Sequence, residues 1–180
     1  TGGGSGLVFG GNDRTDQLSV SKYILQGVLQ RPDGTYVAEP HEWYRLVSSG
    51  FIHFGIIHLA LNMWTIYIVG NILERRLGGL RFGLLYAASL LGGSAGVILV
   101  QPGSLGVHGG ASGAAFGLMT AVVVSLWLQG VSPMSSSIGQ VLMMNILFTV
   151  MGSSFISVGG HAGGAVAGAL CALVMLAKPW

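Results

Sequence analysis

The chain has 180 residues, of which only 14 are charged (8%) and 51% are hydrophobic, with a net charge of +2; soluble globular proteins carry roughly a quarter of charged residues. Between Arg81 and Lys178 run 96 consecutive residues without Asp, Glu, Lys or Arg, and the mean hydropathy is +0.69. These values exclude a water-soluble domain, a disordered chain, a disulfide scaffold (Cys171 is the one cysteine) and a nucleic-acid-binding module, and leave an integral membrane protein.

Residues 1–45 hold nine of the charges, five acidic and four basic. They read as a glycine-rich leader or loop region, separate from a transmembrane domain over 46–180. The opening TGGGSG has neither Met nor the positive start and apolar core of a signal peptide, so the expectation is a chain cut from a longer protein.

Five apolar stretches follow, at 52–73, 82–100, 112–129, 138–156 and 161–177, each near the length a bilayer requires. The segment ERRLGGLR between the first two predicts a tight charged turn, QPGSLGVHGGA a Gly/Pro loop and GVSPMSSS a polar turn. Arg75, Arg76 and Arg81 follow the first span and Lys178 follows the last, so five alternating spans put both ends on one side. The positive-inside rule makes that side cytoplasmic and the leader extracytoplasmic.

Polar groups inside the spans are costly and therefore informative. His53, His58 and Asn62 lie in the first span, with His58 and Asn62 four apart on one helix face. A single such residue reads as interhelical glue; two on one face near the outer end weigh toward a site. The third span opens GGASGAAFG, where Ser112 by itself reads as a helix cap. The fifth opens GGHAGGAVAG, with His161 at its start and Gly164 and Gly168 on the same face. All these groups fall at one depth, just below the outer surface.

Elimination narrows the chemistry. No acidic residue lies within a span except Glu74 at an inner end, which excludes a paired-aspartate protease. The first-span histidines read HFGIIH, without the glutamate of a zinc protease, and five residues apart they suit shared metal ligation poorly. No metal or other cofactor is expected. A serine nucleophile with a histidine base needs only the two side chains and donors for an oxyanion.

In this setting the chain resembles the rhomboid family of intramembrane serine proteases, bacterial type, from about Trp43 to the C-terminus. The likeness comprises W-Y-R at Trp43 to Arg45, and His53, His58 and Asn62 as H-x4-H-x3-N. It continues with Glu74 and Arg76 as E-x-R, and Gly110, Ser112 and Gly113 as G-x-S-G. Last come His161, Gly164 and Gly168 as H-x2-G-x3-G. The resemblance implies an all-α bundle with five helices present of a six-helix core, the first being the one absent. It implies Ser112 as nucleophile and His161 as base, with His58, Asn62 and the Ser112 backbone N–H as oxyanion donors. Phe116 stands where family members commonly have a tyrosine stacked on the histidine. Gly110, Gly113, Gly164 and Gly168 serve close packing, and Trp43, Arg45, His53, Glu74 and Arg76 read as structural. The implied partners are transmembrane protein substrates and the lipid bilayer, with no nucleic acid, in a bacterial inner membrane with the site toward its extracytoplasmic side. A non-catalytic relative that captures transmembrane segments, and a small channel lined by His and Asn, are the alternatives.

Overall fold

A computed structural model of the protein describes residues 18–20, 27–30, 35–38, 41–100, 108–153 and 156–176. Most of the leader, the loop at 101–107 and Lys178, on which half of the orientation argument rests, lie outside the described residues.

The helices are α1 (Arg45–Ser48), α2 (Ile56–Leu77), α3 (Gly79–Val100), α4 (Ser112–Leu128), α5 (Ser137–Met151) and α6 (Val158–Leu176). Single 3-10 turns at Ser49–Phe51 and Pro133–Ser135 lead toward α2 and α5. Before the bundle, strands β1 (Val28–Gln30) and β2 (Tyr36–Ala38) pair antiparallel, with Leu29 opposite Val37. The sequence reading took this stretch as loop, although Pro-Asp-Gly between two short apolar runs is a hairpin signal.

Several boundaries differ from expectation, each for a local reason. The tight turn expected at 74–81 is a single residue: α2 runs through Arg75 and Arg76 to Leu77, and Gly78 alone, at φ +78°, separates it from α3. Two arginines in the last turn of α2 suit the negative end of its dipole. At the other end α2 begins at Ile56, so His53 lies before the helix and not within a span. The fourth expected span, 138–156, is a 15-residue helix that stops at a Gly152–Ser153 turn; it covers about 23 Å, short of the roughly 30 Å hydrocarbon core. Among the described residues three helices, α2, α3 and α6, are long and apolar enough to cross a membrane.

The shortness of α4 has a different origin. Its 17 residues are rich in Ala and Gly at the start, and Ala114 through Met119, Ala121, Val122 and Ser125 are all buried. It is the central helix, enclosed by α2, α3 and α6, so it carries the site without needing a lipid face of its own. The outer helices turn large apolar side chains outward: Trp64 and Tyr67 on α2, Leu99 on α3 and Val174 on α6 are each at least 66% exposed. Apolar surface of this extent marks a face that meets lipid or another protein.

Two glycine seams set the helix spacing. Along α4 and α6, a Cβ on Gly164 or Gly168 would overlap the backbone of Gly113 or Gly117 respectively. Along α3 and α6, the same holds between Gly92 and Gly96 on one side and Gly163 and Gly159 on the other. The first seam follows from a small-x-x-x-small spacing, Gly113 and Gly117 on one helix and Gly164 and Gly168 on the other. The second carries the same signal, and the sequence reading passed over it.

Candidate active site

Ser112 is the first residue of α4, and Ala111 precedes it as the cap residue with no side-chain cap bond. Ser112 is therefore not a cap. Its Oγ lies 2.9 Å from Nε2 of His161, in the first turn of α6. The glycine seam makes this approach possible, because α4 and α6 touch backbone to backbone one and two turns below the pair. The Phe116 ring, one turn below Ser112, stacks on the imidazole at 4.1 Å between centroids and 16° between planes.

The turn before Ser112 is held from three directions. Gly110 N–H donates to the Ser49 carbonyl at 2.8 Å, and Ala111 N–H donates to Nε2 of His53 at 3.4 Å. His108 exchanges backbone hydrogen bonds with Val20, 2.8 and 2.9 Å, so part of the leader is packed against the site. Burial pushes the His53 and His108 imidazoles below the ordinary histidine range, with a backbone hydrogen bond at Phe51 acting in the opposite sense on His53. A neutral His53 keeps the lone pair that accepts from Ala111.

His58 and Asn62 reach the same turn from α2. Gly110 adopts φ +130°, a region that side chains avoid, and a Cβ there would come 2.7 Å from the His58 ring. Glycine is thus required twice over at this position. His53 packs edge-on against His58, at 5.1 Å and 64°. Asn62 is 6% exposed, yet its Nδ2 donor has no hydrogen-bond partner among the described residues. A buried donor without a partner is uncommon and calls for an explanation. A cavity of about 40 Å³ adjoins the turn, lined by Ser49, Ser94, His108 and Ser112 among others, which is room for a water molecule.

The remaining residues singled out in the sequence lie away from this cluster. Arg45 pairs with Glu42 and also donates to the Ser19 carbonyl at 3.4 Å, while Trp43 stacks with His41 and is 53% exposed. Glu74 contributes its backbone carbonyl, which accepts from Gly78 N–H at 2.8 Å, and Arg76 is exposed at the same helix end.

Residues 40–178 match the family model described as Rhomboid domain. The chain belongs to the rhomboid family. It is 32% identical over 146 residues to RHOMBOID-like protein 4 of Arabidopsis thaliana, covering 79% of this chain and 36% of that protein. Rhomboid protease GluP of Bacillus subtilis is 33% identical over 137 residues, 74% of this chain and 26% of GluP. The putative rhomboid protease YdcA of the same organism is 44% identical over 77 residues, 43% of this chain and 38% of YdcA. The chain spans less than half the length of these relatives. With its apolar helices, the family identifies a multi-pass membrane protein built as a rhomboid helical bundle.

Two features of this rhomboid's site were missed in the sequence. Ser157, just before α6, caps that helix by accepting from Gly160 N–H at 3.0 Å, and so fixes the turn that carries His161. Thr149 of α5 places Oγ1 2.7 Å from Nδ1 of His161. The first could have been found from S-x-x-G ahead of an apolar run. The second has no sequence signal, since a threonine in a lipid-facing helix reads as a neutral residue.

Proposed function

We propose that this rhomboid is an intramembrane serine endopeptidase that cleaves transmembrane segments with Ser112 as nucleophile and His161 as general base. The observation that supports this most is the 2.9 Å separation of Ser112 Oγ and His161 Nε2, within the range a general base needs. In the proposed reaction, Ser112 Oγ attacks the peptide carbonyl carbon while its proton passes to Nε2. The tetrahedral oxyanion collapses, the C–N bond breaks, and the imidazolium returns that proton to the departing amine. Water then attacks the acyl ester with His161 again as base, releasing the carboxylate product and restoring Ser112.

The oxyanion forms beside the N-terminus of α4, whose first N–H groups have no intrahelical acceptor and carry partial positive charge. The Asn62 Nδ2, without a partner among the described residues, supports a role as oxyanion donor, together with the His58 ring and the Ser112 N–H. Such donors act mainly in the transition state, because the charge exists only there. The site residues His58 and Asn62 lie in the first turns of α2, whereas Arg75 and Arg76 lie at its end, about 20–27 Å away along the helix axis. By the positive-inside rule the site then opens toward the extracytoplasmic side, in a bacterial cell membrane if the chain is bacterial.

Purified protein in liposomes with a fluorescent single-span substrate tests the reading. Cleavage within the span is expected, and no cleavage of any of a panel of such substrates would oppose it. Asn62→Ala is expected to lower kcat by about 10²–10³ with KM nearly unchanged. A change confined to KM would make Asn62 a substrate-docking group instead.

A further inference from the structure

We propose that Thr149 is a positioning residue for the histidine: its hydroxyl holds His161 in the Nδ1–H form and so leaves Nε2 unprotonated toward Ser112. This rests on the reading of His161 as general base. A proton count fixes the direction of each bond. A threonine hydroxyl has one proton and two lone pairs. Thr149 Oγ1 lies 2.7 Å from the Asn145 carbonyl oxygen and 2.7 Å from His161 Nδ1. The carbonyl can only accept, and two oxygens that close repel unless a proton lies between them. The Thr149 proton is therefore on the Asn145 side, and Nδ1 must donate its own proton to Oγ1.

A neutral imidazole has one N–H, so Nε2 is left as an acceptor. The 2.9 Å contact is then the Ser112 O–H donating to Nε2, the arrangement a base needs before it takes that proton. In the opposite tautomer the Thr149 proton would have to turn toward Nδ1. That would leave the Asn145 carbonyl facing a bare hydroxyl oxygen at 2.7 Å, with Nε2–H pointing at the nucleophile's lone pair.

Burial makes the choice binding. Thr149 is 5% exposed and is one of two buried residues on α5, the other being Gly139, so bulk water offers no substitute partner at its hydroxyl. In serine proteases with a third member, a buried carboxylate selects the tautomer. At membrane depth a carboxylate is costly, whereas a threonine whose proton is taken by its own helix carries no charge. Thr149 thus gives orientation and tautomer without stabilising the imidazolium electrostatically.

The test uses the full chain in detergent micelles with 15N-labelled histidine, with His161 assigned by its loss in His161→Gln. Wild-type protein is expected to show His161 chiefly as the Nδ1–H tautomer. Thr149→Val, close in shape but without the hydroxyl, is expected to shift it toward the Nε2–H form, and Thr149→Ser to restore it. In parallel, the maximal rate of Ser112 phosphonylation by a fluorophosphonate is expected to fall about 10–100-fold in Thr149→Val, the range seen when the hydrogen-bond partner that orients a metal-ligating histidine is removed. Half-saturation should be unchanged, with recovery in Thr149→Ser. Thr149→Ala carries the same expectations should valine fail to pack. An unchanged tautomer in both variants, or an altered tautomer with an unchanged phosphonylation rate, would overturn the proposal. Absence of any phosphonylation in wild-type protein would instead bring down the base reading, while the tautomer shift would still report on the Thr149 contact.

Discussion

Ser112→Ala is expected to remove cleavage of a reconstituted transmembrane substrate, by about 10⁶ in kcat or to the limit of detection, while the protein still folds and purifies. His161→Ala is expected to do the same. The His161 ring does touch Phe116 and Thr149, but most of the bundle's packing is made elsewhere. The Ser112 hydroxyl caps nothing, and the helix packing near His161 is made by glycine backbones. The double variant should be no worse than either single one, because nucleophile and base act as a unit. Cleavage by Ser112→Ala at the wild-type rate would remove this residue from the mechanism, whatever its distance from His161.

The second large effect is expected from the seam below the pair. Gly168→Ala places a methyl group into the backbone of Gly117, with no flexible side chain to yield. Overpacking in a well-packed core typically costs about 1–3 kcal/mol, and contact with rigid backbone belongs at or above the upper end. Relief requires α4 and α6 to separate, which lengthens the 2.9 Å contact between Ser112 and His161. A misplacement of about 1 Å at reacting groups can cost about 10²-fold in rate. Gly168→Ala is therefore expected to lower both the thermal midpoint in detergent and kcat, and Gly164→Ala to act alike. Gly83→Ala is the control: a Cβ there meets nothing within 4 Å, and both quantities should stay at the wild-type level. A neutral Gly168→Ala would mean that the seam does not set the helix spacing.

Much of the site was legible because the chemistry is expensive in a membrane. Serine, histidine and asparagine inside apolar stretches stand out, and the spacing of His58 and Asn62 already put them on one face. The seam of α4 and α6 was legible for a related reason, since glycine at four-residue intervals is a packing signal in lipid. Helix ends were read less well. Charges at 74–81 mark the turn, but cations favour the end of a helix, so α2 runs on to Leu77 and the turn narrows to Gly78. The length of α5 was overestimated because hydropathy runs on past Gly152, where the helix turns off. Thr149 was invisible because its role depends on which way α5 faces, and a helix apolar on nearly all sides does not encode that in its pattern. The paired strands β1 and β2 are only three residues each, too short for a period-two pattern to stand out.

The central claim is that Ser112 is a nucleophile activated by His161. The most direct measurement is reaction of the full chain in liposomes with a fluorophosphonate, followed by mass spectrometry of the labelled peptide. The serine oxygen bonds to phosphorus, fluoride leaves, and the hydroxyl proton passes to the imidazole. The predicted result is a single adduct on Ser112, absent in Ser112→Ala and lost in His161→Ala. No adduct on Ser112, or one whose rate is the same in His161→Ala, would contradict the account.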